Sequence, residues 1–149
     1  MSEVVTSIHI HAPPEAVWKV AMDPQRLGEW VTIHRRLNDS SGGAPRRGYE
    51  MDQTLCLRGV NFHVHWELVD VDEPHHAAWH GRGPARSRAE TEYRLTAAGD
   101  GTRFDYRNEF KAPLGPLGAV ASRALVGGLP RREADTTLRR LKELVERDR

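Results

Sequence analysis

The chain has 149 residues, of which 38% are aliphatic, aromatic or cysteine and 29% are charged, proportions that fit one globular domain with a single core. Its 22 Lys and Arg nearly balance 21 Asp and Glu, and a formal charge of +1 gives no global field to attract nucleic acid or an anionic membrane. The sole cysteine, Cys56, excludes an intrachain disulfide and any multi-cysteine zinc or iron–sulfur centre.

Val4, Thr6, Ile8, Ile10 and Ala12 alternate with Val5, Ser7, His9 and His11, the period of a half-buried strand. Glu3, Thr6 and Ser7 make this run too polar for a signal peptide, and no stretch reaches the length of a membrane span, so the expected address is the cytoplasm. Pro13 and Pro14 end the strand and open a short helix to about Ala21, with Val17, Trp18 and Ala21 on one side. Asp23 is placed to cap a second short helix with Pro24 at its first position, ending near Gly28 and leaving Trp30 as an anchor.

Ile33 to Leu37 reads as a strand, and Asn38 to Arg47 as a loop. Clean alternation then marks strands at Tyr49–Leu57, Phe62–Leu68, Ala89–Leu95 and Phe104–Phe110, with a shorter one at Ala77–Gly81 around Trp79. Ala98-Gly99-Asp100-Gly101 is a hairpin turn. Short turns between successive strands imply an antiparallel meander with one buried face. From Pro113 onward, Leu117, Ala121, Ala124 and Gly128, then Ala134, Leu138, Leu141 and Val145, keep a helical stripe, and Pro130 predicts a break in it.

The run Ile8-x-Ile10-x-Ala12-Pro13-x-Glu15-x-Val17-Trp18, followed by Asp23-Pro24 and Trp30, resembles the START-like (SRPBCC) superfamily. Gly48 before a strand, Glu67-Leu68-Val69 leading to Glu73-Pro74, Trp79, and Gly101-Thr102 in the last hairpin also fit, most closely the polyketide cyclase/dehydrase-like bacterial group. The resemblance spans nearly the whole chain, as one domain over residues 1–149. It implies an α+β helix-grip fold. In that fold an antiparallel sheet of about seven strands wraps around a long C-terminal helix, two short helices follow strand 1, and the ligand lies between sheet and helix.

Polar residues on otherwise apolar strand faces are the candidates to line such a cavity: Gln53, Thr91, Tyr93, Tyr106 and Asn108. Trp30, Met51 and Trp79, with Leu117 and Ala121 of the last helix, supply apolar walls, whereas Trp18 and Trp66 read first as core. His34, Tyr93 and Tyr106 are the candidate acid–base residues. Arg58, Arg82, Arg86 and Arg88 sit at strand ends, where a guanidinium could hold an anion. His63 and His65 share a face and could chelate zinc with His9 or His11, but that face alternates away from Phe62, Val64 and Trp66 and reads as solvated. No phosphate-binding glycine motif, nucleophile elbow or HExxH stretch occurs, so no cofactor and no metal is expected.

Three functions follow. The first is a monomeric or homodimeric binder of a small hydrophobic molecule (a lipid, polyketide or aromatic metabolite). The second is a polyketide cyclase, aromatase or dehydratase working in the same cavity. The third is an interaction module with a vestigial cavity. The absence of a legible acid–base pair favours the first.

Overall fold

In a computed structural model the described residues are 2–111 and 129–148. Seven strands form one antiparallel sheet: β1 (Ser2–Ile10), β2 (His34–Ser40), β3 (Glu50–Leu57), β4 (Val60–Asp72), β5 (His76–Arg82), β6 (Arg88–Ala98) and β7 (Gly101–Lys111). Their spatial order is β1-β7-β6-β5-β4-β3-β2, so β2 through β7 make a meander and β1 closes onto the last strand. Register irregularities in the β2–β3 and β4–β5 ladders are of the kind that curls a sheet.

Two short helices follow β1. Helix α1 (Pro14–Ala21) starts on a proline whose missing N–H needs no partner there, and it buries Val17, Trp18, Val20 and Ala21. Asp23 accepts a hydrogen bond from the Gln25 amide and opens a 3-10 turn, Pro24–Arg26, which runs into α2 (Leu27–Trp30). The second helical segment therefore passes Gly28 and ends on Trp30, because Leu27 and Trp30 both face the core and reward one further turn. Likewise β2 runs on to Ser40, beyond the expected loop start at Asn38, paired to β3 as far as Met51.

The closing helix α3 (Arg131–Arg147) begins directly after Pro130, which lacks the N–H to continue a preceding helix. Its buried stripe of Ala134, Thr137, Leu138, Leu141, Leu144 and Val145 packs chiefly against β1 and α2. The expected helical stripe from Leu117 through Gly128 lies outside the described residues. Polar ties fix the angle of α3. Thr6 on β1 donates to Asp135 at 2.7 Å, and the Thr32 amide donates to Thr137 at 3.1 Å.

The four clean alternations put Met51, Gln53, Leu55, Val64, Trp66, Leu68, Tyr93, Leu95, Phe104 and Tyr106 in the interior. Thr54 departs from its strand's pattern: it belongs to the wet face yet is buried. Asn38 donates to its hydroxyl at 2.7 Å and the His63 ring stands 3.1 Å away, so neighbouring side chains cover it. No helix among the described residues is long and apolar enough to cross a membrane.

Candidate functional site

A cavity of about 110 Å³ lies between the concave face of the sheet, the short helices and the start of α3. One water needs roughly 10–15 Å³ of such volume, so the space has room for several waters or a small organic molecule. Strand register builds its walls. Tyr93 and Tyr106 are direct cross-strand partners, and their rings stack with centroids 6.0 Å apart and planes 26° apart. Thr91 and Asn108 are the next pair along, and Asn108 donates to Thr91 at 2.9 Å. All four line the cavity. Met51 faces Trp66 across β3 and β4, and Trp79 faces Thr91 across β5 and β6. These three also line it, with Gln53 and Trp30.

Leu117 and Ala121 lie outside the described residues. His34 is not among the lining side chains. Trp18 is core, its indole donating to Glu73 at 2.9 Å. Trp66 does more than fill the core, since it both lines the cavity and donates to Gln53 within a polar chain. Phe62, on the inward face that alternation marked, also lines the space, and so do Thr137 and Arg88, which alternation did not single out. Thr137 sits on a helix face whose stripe was read from apolar residues only. Arg88 is the one of the four strand-end arginines that borders the cavity.

Trp30 carries the sharpest chemical feature. Its side chain is 0% exposed, and its indole Nε1 is the single buried side-chain nitrogen or oxygen without a hydrogen-bond partner among the described residues. An indole N–H can only donate, and leaving it unpaired costs about 1–3 kcal/mol. The Tyr93 ring lies 6.0 Å from it, centroid to centroid.

The polar chain occupies the β3–β4 wall. The Trp66 indole donates to Gln53 Oε1 at 2.9 Å, which fixes the orientation of the amide. Gln53 Nε2 must then donate to His34 Nδ1, 2.8 Å away. That leaves the neutral His34 ring with its proton on Nε2. Burial holds the His34 pKa below the ordinary imidazole value, with no carboxylate to oppose it. Its basic nitrogen is therefore occupied, and proton uptake there requires Gln53 to turn. Burial likewise pushes the Tyr93 and Tyr106 hydroxyls well above the ordinary phenol range. The neighbouring Tyr106 adds to the effect on Tyr93, while an Asn108 hydrogen bond works against it on Tyr106. Both remain neutral phenols at physiological pH, able to donate hydrogen bonds but not to serve as bases.

The sheet separates His63 and His65 from His9 and His11 by three intervening strands, so these four form no common site. His65 is held between Asp52 at 2.8 Å and Glu50 at 3.0 Å. The one group of three convergent His, Cys, Asp or Glu donors among the described residues lies at the end of β1, away from the cavity lining. Val5 and Val60, the exposed large hydrophobics among the described residues, are on opposite halves of the sheet and make no common patch.

Comparison with known proteins agrees with this architecture. Residues 1–146 match the family model described as polyketide cyclase / dehydrase and lipid transport. Two proteins of Mycobacterium tuberculosis are similar in sequence. Uncharacterized protein Rv1546 is 26% identical over 129 residues, covering 85% of this chain and 90% of that one. Toxin Rv0910 is 25% identical over 127 residues, covering 84% of this chain and 88% of that one. The crystal structure of TTHA0849 from Thermus thermophilus superimposes with a TM-score of 0.74 at 21% identity, over 98% of both chains, a likeness of fold.

Proposed function

The chain belongs to the polyketide cyclase / dehydrase and lipid transport family, and from that premise we propose that it binds a small hydrophobic molecule, aromatic in shape and bearing one hydrogen-bond acceptor, in the cavity between the sheet and α3. The observation that carries this reading is a largely apolar cavity whose wall includes Trp30, the one described residue with a buried side-chain donor lacking a partner. A ligand carbonyl or ether oxygen supplies the missing acceptor. The stacked Tyr93 and Tyr106 rings and the Trp79 side chain offer flat apolar surface to the remainder.

The reading is tested with two probes of nearly equal size, acetophenone and ethylbenzene, followed by tryptophan fluorescence or calorimetry. Acetophenone is expected to bind tighter by roughly five- to a hundredfold, the range that one rescued buried donor supplies. Trp30→Phe should remove that preference while leaving ethylbenzene affinity close to wild type. Equal affinities in the wild type would overturn the assignment of Trp30.

The second reading is catalysis of a cyclase or dehydratase type in the same cavity. The specific observation in its favour is the pair of buried neutral phenols, which could donate to a developing enolate oxygen. Against it, the described lining residues include no histidine or carboxylate, and the nearby His34 has its Nδ1 held by Gln53. Binding is therefore the stronger reading. Native mass spectrometry of the protein from its own host, followed by denaturation, separates the two. A released molecule that differs from a candidate precursor by one water favours catalysis.

A further inference from the structure

His9 lies near the end of β1 and His11 just past it, and their spacing of two residues puts both rings on the same side of the chain. The β1–β7 register, with Ile10 opposite Thr102, brings the β6–β7 turn beside them, and Asp100 projects from that turn. Its carboxylate is shared: Oδ1 is 3.2 Å from His9 Nε2 and Oδ2 is 3.4 Å from His11 Nδ1. The two imidazoles meet edge to face with centroids 4.8 Å apart. One donor atom from each of the three residues can be chosen so that all lie within 4.8 Å of one another.

The backbone accommodates this approach. A Cβ at Gly101 would collide with the Ile10 carbonyl oxygen and sit 3.0 Å from His9 Nε2, so only glycine lets the turn lie this close. The surrounding charges are matched. Lys142 donates to the His9 carbonyl at 2.8 Å and to Glu146 at 2.6 Å, while Glu146 also accepts from the His11 amide at 2.9 Å. Arg103, the cross-strand neighbour of His9, is paired with Asp105 at 2.9 Å.

Donors about 2.0–2.1 Å from a tetrahedral zinc ion lie about 3.4 Å from one another. The His9 and His11 contacts, 3.2 Å to Oδ1 and 3.4 Å to Oδ2, have that value for two different carboxylate oxygens, and with one donor atom per residue the set spans no more than 4.8 Å, so small side-chain rotations close it on an ion. We propose that His9, His11 and Asp100 form a binding site for a borderline divalent cation of the zinc type, using two imidazoles and one carboxylate. The set shares no residue with the cavity lining, so its role is distinct from ligand binding. The ion would clasp the end of β1 to the β6–β7 hairpin, and through the Lys142–Glu146 pair it would lie beside α3. Imidazole and carboxylate suit zinc better than calcium or magnesium, which take oxygen-rich shells.

The experiment titrates untagged full-length protein with zinc chloride by calorimetry, and with cobalt chloride by visible absorption. One equivalent of zinc is expected to bind and to raise the melting temperature, reversibly on chelation. His9→Gln and His11→Gln should each weaken binding at least about tenfold, and His80→Gln should leave it unchanged. Circular dichroism checks that each variant is folded, and His11→Gln, beyond the strand end, carries the test if His9→Gln is not. Binding only above millimolar zinc, or unchanged affinity in His11→Gln, would overturn the site and leave the three residues as a hydrogen-bonded cluster.

Discussion

Gln53 shows how much a single side chain can decide. Its carbonyl satisfies Trp66 and its amide nitrogen satisfies His34, so one residue orients a ring on the cavity wall and a second ring behind it. Gln53→Leu should cost roughly 1–3 kcal/mol in denaturant unfolding, because the Trp66 N–H loses its acceptor. In a double-mutant cycle with Trp66→Phe, the two losses should be less than additive by about 1 kcal/mol, and strict additivity would show that the bond contributes nothing. His65 on the wet face gives a pH signature. Its pKa is raised, first by the Glu50 hydrogen bond and then by that of Asp52. A raised folded-state pKa means that the native protein holds the proton more tightly than the unfolded chain. The resulting stabilisation is complete below about pH 6.5 and disappears as pH rises through the folded-state value. His65→Gln should therefore lower the melting temperature at about pH 5.5 and leave it near wild type at about pH 9. The opposite sign holds for His34: its lowered pKa costs stability as pH falls below about 6.5.

Strands β4 and β5 depend on an absence of side chain. Gly81 faces Trp66 across the ladder, and a Cβ there would lie 2.8 Å from two atoms of the Trp66 ring and from Val64 Cγ1. The ring cannot swing aside freely, since its N–H is held by Gln53. Gly81→Ala should therefore destabilise the protein by about 1–3 kcal/mol, measured by denaturant unfolding, and shift the fluorescence of Trp66. A neutral result would mean that β5 can slide away from β4. The strands were legible because alternation of period two is a local property, visible in Phe62, Val64 and Trp66 without knowledge of any partner. Element ends were less so. The second short helix outruns Gly28 to reach Trp30, and β2 outruns Asn38 to reach Ser40. Both extensions are made favourable by contacts with distant residues, the core in one case and β3 in the other.

A binder with a cavity of about 110 Å³ gives up packing to keep that space open, and a ligand that fills it returns the lost contacts. Acetophenone at about a hundred times its dissociation constant should therefore stabilise the native protein by about 2.7 kcal/mol, read as a higher melting temperature that depends on its concentration. No change at saturation would mean that the cavity does not admit it. The sequence by itself determined the face of each strand. It therefore determined that Gln53, Thr91, Tyr93, Tyr106 and Asn108 turn inward, because side-chain direction along a strand follows from residue parity alone. The sequence also marked Pro130 as a break point, and α3 begins at the next residue. Register was decided only in three dimensions. Tyr93 stacks on Tyr106 because β6 and β7 pair in one alignment out of several. Which polar groups find partners was decided there too: Gln53 meets Trp66 and His34, while Trp30 is left with none. Hydrogen-bond satisfaction depends on distances between residues far apart in the chain, and no local pattern records those distances.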